Sequence, residues 1–98
     1  RGKAAAQLLQ NEIKLLCEVM QKHGTKVEKD GKEMVQMNFK ELFELYKVIS
    51  NKLVGLLLRA RKYNLVEFEG EMLYQGRDDG VLITMDPLIN IDNINFEA

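Results

Sequence analysis

The sequence contains few of the residues on which catalysis and metal binding most often depend. It has one cysteine, one histidine, one proline and no tryptophan. A single cysteine excludes an internal disulfide and a zinc site built from several cysteines, and it fits a reducing compartment, the cytosol or the nucleus. No strictly apolar run exceeds three residues, as in Leu56 to Leu58. A membrane-spanning helix needs roughly 18, so we expect no membrane span.

No nucleophile or phosphate-binding motif is present either. Ser50 is the only serine and lies outside any Gly-x-Ser-x-Gly elbow. Cys17 lies in an apolar helical stripe, where a thiol behaves as a small hydrophobic group. His23 follows it by six residues and so falls on another helix face. Asp78 and Asp79 are typical of a solvated turn. The sequence therefore predicts no enzyme, no metal site and no cofactor.

The charges are distributed unevenly along the chain. Its 98 residues, enough for one small domain, carry a net charge of −1. Residues 1–63 hold 13 Lys/Arg against 7 Asp/Glu, a balance of +6, whereas residues 64–98 hold 1 against 8, a balance of −7. Either the two halves neutralise each other in the fold, or one face attracts a partner of opposite charge.

The first half predicts three helices and one strand. Leu9, Ile13, Leu16 and Met20 recur at helical spacing, which predicts a helix over 4–23. Gly24 is expected to end it in the left-handed conformation. After a solvated loop at 25–33, alternating residues at 34–39 predict a short strand.

Two further helices follow the strand. Asn38 and Glu41 have the spacing of a capping box, and the next helix has an apolar face that runs to Ile49. Ser50 is placed to cap a third helix that ends near residue 64. Gly55 inside it costs about 1 kcal/mol relative to alanine and allows a close backbone approach.

The second half predicts a β-hairpin and a tail. Its strands span 65–75 and 81–85, with a turn at 76–80. The order helix, strand, helix, helix, hairpin predicts a small α+β domain of winged-helix type over residues 1–85. The tail, 86–98, alternates isoleucine with Asn and Asp and is expected to be extended. It either folds back on the domain or docks on a partner through Ile89, Ile91, Ile94 and Phe96.

A winged helix raises the alternative of nucleic-acid binding. The third helix carries Lys52, Arg59, Arg61 and Lys62, and such helices often enter the major groove of DNA. The predicted wing, however, is rich in Glu and Asp, which repel phosphate, and the chain lacks a net basic charge. Nucleic acid is therefore the less favoured partner.

Two segments resemble the Costars family. They are KELFELYKVISNKLVGLLLRARK at 40–62 and VEFEGEMLYQGRDD at 66–79, within a likeness that covers roughly residues 12–85. Lys40 departs from the family's usual glycine, and residues 86–98 extend beyond its usual end. The resemblance implies a winged-helix-like fold without catalysis, actin-filament binding, a cytoplasmic place at the cytoskeleton, and roles in actin organisation and motility.

The residues expected to contact an acidic filament are basic. They are Lys52, Arg59, Arg61 and Lys62 on the third helix and Arg77 in the hairpin turn. The alternative is an architectural role in another filament assembly, with tubulin or other axonemal proteins of a cilium as partners of the tail.

Overall fold

A computed structural model of the protein describes residues 2–98. Within this range the chain forms three helices, four strands and one turn of 3-10 helix, and the expected α+β class is confirmed. The elements are α1 (Lys3–His23), β1 (Thr25–Lys29), β2 (Lys32–Asn38), α2 (Phe39–Tyr46), α3 (Leu53–Lys62), β3 (Val66–Glu67), β4 (Leu82–Met85) and the 3-10 turn (Ile91–Asn93).

The four strands form one antiparallel sheet in the order β1-β2-β4-β3. β4 pairs with β2 from Val35–Met85 to Asn38–Leu82, and with β3 from Val66–Met85 to Glu67–Thr84. The last strand of the chain therefore lies between the two strands that precede it. This insertion joins the N-terminal hairpin to the C-terminal part of the domain.

The helices cover one face of this sheet. The register places Val35 opposite Met85 and Met37 opposite Ile83, so these four side chains share a face, and all are buried. α1 packs against β2 and α3. Its predicted stripe is buried to at least 98%, with Leu9 2% exposed and Ile13, Leu16 and Met20 fully covered. The hydrophobic effect thus joins the helical layer to the sheet.

The segment 25–33, expected to be a loop, instead contains β1. Asp30 and Gly31 adopt φ angles of 53° and 78° and connect β1 to β2 as a two-residue turn. Asp-Gly suits such a turn because both central positions need positive φ. The strand escaped prediction because β1 is an edge strand whose residues, apart from half-buried Val27, are exposed. Its sequence therefore lacks the apolar alternation that signals burial.

The strand expected over 65–75 is also corrected, because only Val66 and Glu67 are in the sheet. Beyond Glu67 the chain leaves β4 and forms an irregular loop until Leu82. Gly70 and Gly76 adopt positive φ angles of 87° and 88°, which a continuous strand does not accommodate. The alternating apolar residues of this segment made it resemble a longer strand.

The predicted capping box of α2 is confirmed. The Asn38 side chain accepts a hydrogen bond from the Glu41 N–H at 2.8 Å, and the Glu41 carboxylate accepts one from the Asn38 N–H at 3.4 Å. The helix ends at Tyr46 rather than at Ile49. Its last predicted apolar position, Ile49, is therefore in a turn and is 40% exposed.

Gly24 ends α1 as expected, but not in the left-handed conformation. Its φ and ψ are −78° and 168°, which is extended backbone. A glycine is nevertheless needed here, since a Cβ would lie 2.5 Å from Val35 Cγ1 and 2.6 Å from the Met20 carbonyl oxygen. Close approach between α1 and β2, rather than a special dihedral angle, fixes the residue type.

Candidate protein-binding surface

The outward face of α3 carries a stripe of basic residues with a glycine in the middle. Lys52, Gly55, Arg59 and Lys62 follow one another at intervals of three, four and three residues and therefore share a face. All four are exposed. The opposite face of the helix is buried through Leu53, Leu56, Leu57 and Ala60. Within residues 2–98, none of the three cations of this basic stripe forms an ion pair.

Arg61, a further predicted contact residue, has a structural role instead. Its guanidinium donates hydrogen bonds to the carbonyl oxygens of Phe68 at 3.2 Å and Gly70 at 2.5 Å. It also stacks on the Phe68 ring, 4.1 Å from the centroid. Arg61 therefore holds the loop that follows β3 against α3, and it is only half exposed.

Arg77 lies far from the basic stripe in sequence and is paired. Its guanidinium donates to the Asp78 carboxylate at 2.9 Å and stacks 4.4 Å from the Tyr74 ring centroid. The pKa of Asp78 lies below its ordinary value, first because Arg77 donates to it and second because the Tyr74 N–H does so. The positive charge of Arg77 is therefore neutralised within its own turn by Asp78.

The turn between α2 and α3 presents apolar surface that the helical periodicity does not predict. Val48 is 92% exposed and Ile49 is 40% exposed. The periodicity assigned Ile49 to the buried face of α2, because nothing local marked the end of that helix at Tyr46. The run of Lys, Val and Ile after Tyr46, with no acidic residue before Val66, is the signal that could have drawn attention to this turn.

The tail packs against the protein's own core. Phe96 is 3% exposed and meets the Tyr63 ring edge to face, with the centroids 4.9 Å apart. The Tyr63 hydroxyl donates to the Ala98 carbonyl oxygen at 2.9 Å. The three isoleucines that were predicted with Phe96 are partly buried against the same core: Ile89, Ile91 and Ile94. Of the two alternatives for the tail, the structure shows the first, and docking on a partner stays a prediction.

The tail, expected to be extended, contains one 3-10 turn and forms two ion pairs with the domain. Asp92 in the turn meets Lys14 of α1 at 2.6 Å, and Asp86 meets Lys32 of β2 at 2.8 Å. The pKa values of both carboxyls lie below the ordinary value, chiefly because these lysines donate hydrogen bonds to them. These contacts join the basic first half to the acidic second half, so the two partly neutralise each other.

Two titratable side chains, Cys17 and Tyr46, lie in the core. Cys17 is buried, and desolvation raises the pKa of its thiol to about 11. Burial likewise raises the pKa of Tyr46 to about 12, and its hydroxyl has no hydrogen-bond partner among residues 2–98. In that range no group of three or more His, Cys, Asp or Glu residues could hold a metal ion. No helix there is long and apolar enough to cross a membrane.

Comparison with known proteins gives consistent results. The family model described as Costars matches residues 8–86. A mouse protein named "Actin-binding Rho-activating protein" is 51% identical over 85 residues, and the human protein of that name is 47% identical over 88 residues. These alignments cover 87% of this chain but only 22% of each relative. The chain therefore spans about a fifth of the length of these relatives.

Shorter proteins match over nearly their whole length. A salmon protein (Salmo salar) named "Costars family protein ABRACL" is 35% identical over 77 residues, which is 79% of this chain and 94% of that protein. A solved structure titled "Solution structure of human HSPC280 protein" superposes with a TM-score of 0.69 at 32% identity, covering 88% of this chain and 98% of that one. The names of the longer relatives describe binding and regulatory proteins rather than enzymes.

Proposed function

Since this chain belongs to the Costars family, we propose that it is a non-catalytic module that binds actin filaments through the basic stripe on α3. Mammalian relatives at 47–51% identity have names that begin with "Actin-binding", which supports actin as the partner. Binding of this kind gives the protein a role in organising actin filaments and, through them, in cell motility at the cytoskeleton.

The observation that carries the proposal is the positive charge of residues 47–62, which no carboxylate interrupts. Residues 47–62 contain five Lys/Arg and no Asp or Glu. Of these five, Lys47 is paired with Glu44 and Arg61 holds the loop after β3. The remaining three are the cations of the basic stripe, and an exposed stripe of one sign attracts an acidic filament such as actin.

The experiment is co-sedimentation of the purified protein with actin filaments over a range of salt concentrations. The double variant Arg59→Glu and Lys62→Glu reverses two charges on the stripe, and we expect binding about tenfold weaker at low salt. The difference should shrink as salt screens the charges, because the Debye length falls to about 3 Å at 1 M. Arg61 is left unchanged because its loss would release the loop after β3.

The matched control is the double variant Lys22→Glu and Lys26→Glu, since both lysines are exposed and lie outside the stripe, at the end of α1 and on β1. It changes the net charge by the same amount and should bind like the unaltered protein. If the unaltered protein fails to sediment with actin at any salt concentration, the proposal is wrong. Sedimentation with microtubules instead would favour the axonemal alternative, and retention by duplex DNA would favour the nucleic-acid alternative.

A further inference from the structure

An open apolar cleft lies between the end of α2 and the start of α3. It has a volume of about 230 Å³, and its walls include the rings of Phe43 and Tyr46 and the side chains of Leu53 and Val54. The turn between the two helices forms one side of it through Lys47, Ser50 and Asn51. We call this feature the α2–α3 cleft.

The walls of the α2–α3 cleft are fixed by the fold. Tyr46 and Leu53 are 2% and 3% exposed and belong to the core. The turn between them is closed by hydrogen bonds from the Ile49 and Ser50 N–H groups to the Tyr46 carbonyl oxygen, both 2.9 Å. The Lys52 N–H donates to Ser50 Oγ at 3.1 Å. A partner therefore meets a preformed surface, which limits the entropy lost on binding.

The charge around the cleft identifies the chemistry of its occupant. The basic stripe begins at Lys52, directly beside the cleft, and continues along α3 to Lys62. The 16 residues of segment 47–62 carry no carboxylate to repel an acidic partner. An acidic segment that pairs with the stripe is therefore held with its backbone near the opening of the cleft.

Gly55 gives a second indication of where such a segment lies. Glycine weakens a helix, and here no contact within residues 2–98 requires it, since an added Cβ would meet nothing within 4 Å. The close approach expected from the sequence is thus not made by the chain itself. A partner backbone that runs along the stripe would find room for close approach here, at the residue that directly follows Val54 of the cleft wall.

We propose that the α2–α3 cleft receives one apolar side chain of an acidic actin segment whose carboxylates lie along the basic stripe. The inference rests on the proposed function and adds to it an apolar contact, of the kind that carries much of the binding energy at protein interfaces. Charge would then set the rate and register of the encounter, while the apolar side chain would prolong the complex.

The test is the same co-sedimentation with actin filaments, using two variants of the cleft. Asn51→Trp places a bulky ring at the opening of the cleft, and the fold should be unaffected because Asn51 is exposed. Val54→Phe fills the cleft from its own wall. We expect each to weaken binding about tenfold, and the loss should persist at high salt, unlike that of the charge-reversed variant.

Leu88→Trp is the matched control for Asn51→Trp. Leu88 is 85% exposed in the tail, so this change adds the same ring outside α2 and α3. Thermal melts check that each variant is folded, and Asn51→Trp decides the matter if Val54→Phe is not. If Asn51→Trp binds like Leu88→Trp while the charge reversal weakens binding, the inference is overturned and the proposed function stands. If the unaltered protein does not sediment, both are overturned.

Discussion

The packing of Phe96 gives a direct test of whether the tail belongs to the core of this domain. Phe96 is 3% exposed, and its ring packs against that of Tyr63. The Tyr63 hydroxyl also donates a hydrogen bond to the Ala98 carbonyl oxygen, two residues further along the tail. Phe96→Ala removes the ring and leaves a void beside Tyr63. We expect a loss of stability that an exposed tail residue would not cause.

The size of the loss follows from the environment of the ring. Replacing a buried phenylalanine by alanine typically costs 3–5 kcal/mol, and an edge-to-face aromatic pair contributes about 0.5–1.5 kcal/mol of this. The tail can detach to relieve the void, which limits the cost, so we expect about 2–3 kcal/mol. For a domain of this size, that corresponds to a fall in melting temperature of roughly 8–24 °C.

Two measurements report the effect. Urea denaturation followed by circular dichroism gives the free energy of unfolding. The rate at which a thiol reagent modifies Cys17, the only cysteine, reports detachment of the tail, because Ile89 and Ile91 line the same small cavity as Cys17. In the unaltered protein the buried thiol, with a pKa of about 11, should react slowly at pH 8.

Leu88→Ala is the control, since Leu88 lies in the same tail but is 85% exposed. Its effect should stay within about 0.5 kcal/mol. If Phe96→Ala unfolds at the same urea concentration as Leu88→Ala, and Cys17 reacts no faster in it, the packing argument fails. The tail would then be available for the docking on a partner that its sequence also suggested.

Two further substitutions test contacts between elements of the fold. Gly24→Ala forces a Cβ against the Val35 side chain and should cost about 1–3 kcal/mol in urea denaturation, whereas Gly80→Ala, where a Cβ meets nothing within 4 Å, should be nearly neutral. In the folded protein the pKa of the Asp92 carboxyl lies below its ordinary value of 3.8, because Lys14 donates to it. The carboxylate therefore stabilises the fold above about pH 4, and this contribution is lost as the pH falls through the lower folded pKa. In Asp92→Asn the urea midpoint should fall less steeply below pH 4 than in the unaltered protein, and an equally steep fall would contradict the role of this pair.

The features that could be predicted from sequence are those whose cause is local. The stripe from Leu9 to Met20 predicted α1, and the spacing of Asn38 and Glu41 predicted the start of α2, because both depend on residues three or four apart. The exposed face of α3 could be read from the same periodicity. The three cations of the basic stripe are therefore among the contact residues that the sequence predicts.

The errors arise where the deciding contact is distant or the burial pattern is absent. β1 has no apolar alternation because it is an exposed edge, so only its pairing with β2 reveals it. Arg61 looked like a surface cation, yet it holds carbonyl oxygens seven and nine residues away. Periodicity extended α2 to Ile49, and the early end at Tyr46, which exposes Val48, appears only in the fold.

The sequence by itself determined the class of the domain, where its helices begin and the position of its positive charge. These follow from composition and from interactions between near neighbours on one helix. Only the tertiary structure decided that β4 lies between β2 and β3, that Asp92 meets Lys14 across 78 residues and that Phe96 closes the core against Tyr63. Such contacts depend on which distant surfaces exclude water together, and no local pattern encodes that choice.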